Sequence, residues 1–122
     1  MTEIFLADTY AIIEIIKGNK NYKKYLDANL ITTKFNLIEL YYHFLHDFDG
    51  DIADKYLEIY SNFLMPITNN TIRSGMKFKL KYRKEKLSYV DCIGYALALE
   101  LGIKFLTGDQ KFEDKENTEF IK

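Results

Sequence analysis

Five short apolar runs punctuate the chain, at residues 3–7, 30–33, 64–67, 103–107 and 118–121, each with the length and content of a buried parallel strand. Between them the apolar positions recur every three or four residues. This spacing predicts helices over 10–17, 36–48, 52–63 and 71–82, a short helical segment at 21–27 and a longer apolar helix at 90–101. The punctuation agrees with the periodicity. Gly18-Asn19 stops the first helix, Thr33 or Asn36 opens the second, and Ser88-x-x-Asp91 has the residue pattern of a capping box ahead of a run that ends at Gly102. Pro66, the only proline, suits an edge strand because it has no N–H to give to a ladder. Strands alternating with helices, with no repeat or linker, predict a doubly wound parallel α/β sheet in one domain spanning 1–122.

In such a sheet, ligands gather outside the carboxyl ends of the strands. Asp8 ends the first strand, Asp109 follows the fourth, and Glu39 lies in the first turns of the helix that leaves the second. Asp91 lies in the first turn of the last long helix, and the order of elements alone leaves open whether it reaches the same edge. Each acid also has an ordinary use: a helix cap for Asp8, a boundary residue for Glu39, the capping box for Asp91, a Gly-Asp turn for Asp109. Brought together, they would repel one another and raise each other's pKa. A divalent cation would relieve this. Oxygen donors with no His or Cys pair nearby select Mg²⁺ or Mn²⁺ over Zn²⁺.

Composition narrows the setting. No apolar run approaches the roughly 20 residues that span a bilayer, and the start MTEIFLADTY has no basic segment of a secretory signal, so a cytoplasmic protein without a membrane partner is expected. Cys92 is alone within an apolar helix and reads as a buried, inert thiol. A net charge of −1 does not announce a nucleic-acid binder. Its distribution is uneven, however. Lys77, Lys79, Lys81, Arg83, Lys84 and Lys86 crowd between Met76 and Leu87 against the single acid Glu85. They form either a solvated helix face or a phosphate-contacting patch beside the acidic centre. Ten Tyr and nine Phe are many for 122 residues, and most should serve the core or a subunit interface.

Four motifs together resemble the PIN domain, a metal-dependent ribonuclease fold that includes VapC-type toxins. They are Phe5-Leu6-Ala7-Asp8-Thr9, Asn36-Leu37-Ile38-Glu39-Leu40, Leu87-Ser88-Tyr89-Val90-Asp91-Cys92, and Leu106-Thr107-Gly108-Asp109-Gln110-Lys111-Phe112. The resemblance spans essentially the whole chain, and its force lies in the order and spacing of all four. It implies a three-layer α/β/α domain with a mostly parallel five-stranded sheet. It also implies that Asp8, Glu39, Asp91 and Asp109 surround Mg²⁺ or Mn²⁺, with Thr9 and Thr107 supporting them by hydrogen bonds. The implied reaction is endoribonucleolytic: a metal-activated water attacks a phosphodiester in line, leaving a 5′-phosphate and a 3′-hydroxyl. The basic run 77–86 would supply phosphate contacts to RNA. A homodimer silenced by an antitoxin protein completes the resemblance. Tyr10 stands where a small polar residue is common, and Gln110 and Lys111 replace an acid sometimes found there, which puts a second metal in question. Two other readings compete: a non-catalytic RNA-binding or regulatory module of the same fold, and a phosphotransfer α/β domain. The dehalogenase form of the latter wants an acid where Tyr10 stands, and the receiver form wants one where Thr68-Asn69 follow the third run.

Overall fold

A computed structural model describes residues 3–122. Its strands are β1 (Ile4–Ala7), β2 (Asn29–Ile31), β3 (Lys104–Thr107) and β4 (Thr118–Phe120), all parallel, in the order β2-β1-β3-β4. Successive residues of a strand face opposite sides, and the register carries this across the sheet. Phe5 pairs with Leu30 and Ala7 with Leu106, and these pack on one side. Leu6 pairs with Ile31 and Phe105, and these pack on the other. Helices α1 (Thr9–Lys17), α2 (Lys34–Asp47) and α3 (Gly50–Tyr60) cover the first face. Helices α4 (Asn69–Lys81) and α5 (Tyr89–Leu101) cover the second.

The change of face follows from topology. From β1 the chain moves outward through β2, then returns past β1 to lay down β3 on its other side. Right-handed crossovers in opposite directions put the helix between β1 and β2 and the helices that lead into β3 on opposite faces, so α2 and α3 stay beside α1 and the chain changes face before α4 and α5. The sheet therefore has a switch point between β1 and β3, where loops leaving the two carboxyl ends diverge and open a crevice.

The expected third strand is the one element that did not form. Residues 64–67 contribute a single parallel bridge, Thr32 to Leu64, with Thr32 N–H donating to the Phe63 carbonyl and Met65 N–H to the Thr32 carbonyl, both at 2.9 Å. Pro66 follows at once and cannot donate, so the ladder ends and the sheet has four strands, not five. The helices form where expected, within a few residues at either end. The segment 21–27 is a 3₁₀ turn over Lys20–Tyr25, and the helix expected over 52–63 stops at Tyr60 before a 3₁₀ turn.

The second face carries an aromatic core. The Phe78 and Tyr95 rings stack at 4.5 Å, and Phe105 and Phe112 are fully buried beside them, each burial contributing about 2 kcal/mol. Gly75 lets α4 approach α5, since a Cβ there would stand 3.1 Å from Ile93 Cδ1 and 3.2 Å from the Cys92 carbonyl. Cys92 is buried, as its apolar setting predicts. No helix among the described residues is long and apolar enough to cross a membrane.

Candidate active site

Asp8 directly follows β1 and caps α1. Its Oδ1 accepts from the Ala11 N–H at 2.8 Å, while its Oδ2 accepts from the Thr107 hydroxyl at the end of β3. The Thr107 oxygen in turn accepts from the Asp109 N–H at 3.0 Å, so one hydroxyl couples the acid after β1 to the turn after β3. Asp8 is only 1% exposed. Burial pushes its carboxyl well above the usual range, and the negative charges of Asp91 and Asp109 push it further.

Glu39 reaches the crevice from α2. Its Oε1 accepts from the Thr9 hydroxyl at 2.6 Å, and the Thr9 oxygen accepts from Asn36 Nδ2 at 3.1 Å. Asn36 is itself locked in the capping box that Thr33 opens, so both residues proposed as the cap of α2 take part. The cap of one helix thereby orients the acid one turn further on.

Asp91 answers the question its sequence position left open. Only two residues, Gly102 with φ 69° and Ile103, separate α5 from β3. The helix is thus the return leg whose end lies at the amino edge of the sheet. Thirteen residues at 1.5 Å rise put its start about 20 Å away, at the carboxyl edge with the other acids. The Ser88 hydroxyl accepts the Asp91 N–H at 3.0 Å. The reciprocal bond that would complete a capping box is not made, so the Asp91 carboxylate is not tied to the Ser88 N–H. Burial raises the Asp91 pKa to about 6. The Ser88 hydroxyl offsets part of the rise, Asp109 and Glu39 add to it, and Lys111 opposes them.

Asp109 lies in the turn after β3, where its Oδ1 accepts from the Lys111 N–H at 3.0 Å. All four acids line a single open cleft of about 480 Å³ at the switch point, with Thr9, Tyr10, Ser88, Gly108, Gln110 and Lys122. Tyr10 rests directly on Gly108. A Cβ at Gly108 would fall 2.1 Å from the ring and 2.6 Å from the Ile121 carbonyl, so the aromatic residue after Asp8-Thr9 requires the glycine before Asp109.

The donor chemistry suits a hard divalent cation. It consists of carboxylates only, and no cation is among the groups that shift the buried Asp8. As they stand, the acids ring the cleft at a distance from one another. Among the described residues no three His, Cys, Asp or Glu side chains are drawn close enough to hold a metal ion.

The basic run borders this edge through the loop into α5. Lys77, Lys81, Arg83, Lys84 and Lys86 are exposed. Lys79 is spent internally: its ammonium donates to the Leu87 carbonyl and lies 4.6 Å over the Tyr89 ring. Sequence reasoning did not assign a site role to Asn36, Lys111 or Lys122. For Asn36 a signal existed, since it sits at the third helical position after Thr33. The placement of Lys111 and Lys122 depends on the folded loops.

A parallel α/β fold with a carboxylate-lined cleft at its switch point is the class that these features define. The chain belongs to the PIN domain family, whose family model matches residues 5–117. Solved structures with the same fold include Mycobacterium tuberculosis VapC20, described as a Sarcin-Ricin loop cleaving toxin. It is 15% identical, with a TM-score of 0.79 over 98% of this chain and 100% of that one. VapBC-1 from nontypeable Haemophilus influenzae is 15% identical, with a TM-score of 0.74 over 96% of each chain. A toxin–antitoxin complex from Klebsiella pneumoniae is 17% identical, with a TM-score of 0.73 over 93% of this chain and 94% of that one. No curated protein matches the sequence.

Proposed function

We propose that this chain is a single-domain, Mg²⁺- or Mn²⁺-dependent endoribonuclease, the cytoplasmic toxin of a toxin–antitoxin pair. The observation that carries the reading is the convergence of Asp8, Glu39, Asp91 and Asp109, from four separate segments, on one cleft at the switch point. Membership of the PIN family and the likeness to toxins solved with their antitoxins support it.

Asp8, Asp91 and Asp109 would hold the cation, with Glu39 closing the set from α2. The chemistry a divalent cation supplies there is activation of water and neutralisation of charge on the phosphodiester. The protein's share is orientation. Thr107 holds Asp8 and the Asp109 backbone in one arrangement, and Thr9 with Asn36 fixes the rotamer of Glu39. Asp8 and Asp91 hold protons more readily than ordinary carboxyls and would have to be deprotonated to serve as ligands. The exposed cations of the 77–86 run contact RNA phosphates leading into the cleft. Homodimerisation and an antitoxin partner complete the proposal.

Asp8→Asn and Asp91→Asn test it. Asparagine preserves the cap at position 8, so both variants should fold yet lose at least about 100-fold in Mn²⁺-dependent RNA cleavage. Unchanged cleavage by both folded variants overturns the assignment. The spacing of the acids also favours a second reading, a binding module of the same fold without productive metal geometry. Calorimetric titration with Mn²⁺ separates the two, since the module would bind no ion.

A further inference from the structure

Thr9 and Tyr10 follow Asp8 in the first turn of α1, and their side chains serve different ends. Thr9 is bonded to Glu39, whereas Tyr10 has two surroundings at once. Part of its ring packs against the apolar core of the first face, and the rest lines the acid cleft. Among the described residues that line this cleft it is the one aromatic side chain; the others are small, polar or charged. The Cδ1–Cε1 edge of the ring seats on Gly108, where any larger residue would overlap it, and the Ile121 carbonyl closes on the same spot. A ring gripped by core and backbone has little rotamer freedom left to lose when it binds a ligand. Charge gives a second, independent reason. The acids around the ring repel phosphate oxygens wherever no cation intervenes. A neutral flat surface is therefore what this wall can offer a polyanion, through its bases. Single-stranded RNA presents unstacked bases, and aromatic side chains bind them by stacking whatever the sequence.

We propose that Tyr10 is a substrate-binding residue of the cleft, its ring stacking on a nucleobase of single-stranded RNA beside the phosphodiester that the acids act on. This rests on the metal-dependent ribonuclease reading and adds to it the way the substrate is seated. Asp8 and Tyr10 stand two residues apart at the start of one helix, so the stacked base belongs to a nucleotide next to the phosphate held at Asp8. Stacking carries no charge, so it contributes affinity without salt dependence, unlike a phosphate contact. A tyrosine that only packed against Gly108 would be blind to whether that base is present.

The test compares wild type with Tyr10→Leu and Tyr10→Phe. The probes are single-stranded RNA oligonucleotides with 2-aminopurine, whose fluorescence stacking quenches, or an abasic nucleotide at each position in turn. Binding is measured by fluorescence with Ca²⁺ in place of Mn²⁺, over a range of salt. Wild type should quench 2-aminopurine at one position, Tyr10→Phe should do the same, and Tyr10→Leu should not. Tyr10→Leu should weaken binding about 5- to 150-fold, the range for one stacked base, with the slope of log K against log salt unchanged. An abasic nucleotide at the quenched position should weaken wild type by a similar factor and leave Tyr10→Leu where it was. The abasic arm with wild type needs no substitution, so it holds even if Tyr10→Leu folds poorly. Quenching that persists in a folded Tyr10→Leu, no quenching by wild type at any position, or an abasic loss that is the same in both proteins overturns the proposal. Failure of the underlying reading looks different: wild type would stack the base yet leave the unmodified oligonucleotide uncut in Mn²⁺.

Discussion

The acids of the cleft should make the metal-free protein less stable than a variant that lacks one of them. Asp91 illustrates the magnitude. Its carboxyl moves from an ordinary value of 3.8 to about 6 on folding, which corresponds to about 3 kcal/mol between the two protonation states. The cleft is open to water, so screening brings the expected effect to about 2–3 kcal/mol. The sign follows from linkage: the folded state binds the proton more tightly than the unfolded chain. The corresponding stability is therefore fully present below about pH 4 and lost as pH rises through 6. Asp91→Asn has no charge to bury and escapes this loss. In chelator at pH 8 it should be more stable than wild type by about 2–3 kcal/mol, or about 10 °C in Tm for a chain of 122 residues. At pH 4 the two should coincide. Saturating Mn²⁺ should reverse the order at pH 8, since a ligand at 1,000 times its Kd adds about 4.1 kcal/mol to a protein that binds it. Urea denaturation at pH 4, 6 and 8, with EDTA and with Mn²⁺, reads all three. If Asp91→Asn is the less stable protein in EDTA at pH 8, the carboxyl is not electrostatically frustrated and the argument is wrong.

Two further substitutions probe the support of the site. Thr9→Val removes the hydroxyl between Asn36 and Glu39; Mn²⁺ affinity measured by calorimetry should fall about 10- to 100-fold, with the far-ultraviolet spectrum unchanged. Gly108→Ala drives a methyl into the Tyr10 ring and the Ile121 carbonyl and should cost about 1–3 kcal/mol in urea titration. Tyr10→Ala added to it should recover only part of that loss, because the carbonyl clash remains.

Local elements were legible because their signals are local. Gly18 and Gly102 stop α1 and α5 in the left-handed conformation, and Thr33 opens α2 with Asn36 as its reciprocal partner, as their positions suggested. The third strand does not form, for an equally local reason with a non-local result. Leu64 and Met65 make their bonds to Thr32, and Pro66 ends the pairing before a strand exists. A run of apolar residues reports burial, not the number of ladder bonds its neighbour can accept.

The sequence by itself determined the helices, the parallel α/β class and the identities of the acids, since periodicity, caps and strand-end position depend on a few adjacent residues. Only the tertiary structure decided that Asp91 joins Asp8, because that depends on which way α5 runs against the sheet. Only it could reveal the Thr107 and Thr9 bridges and the seat of Tyr10 on Gly108. Each is a contact between segments distant in the chain, and such contacts exist only once the crossovers on either side of β1 have closed around the same crevice.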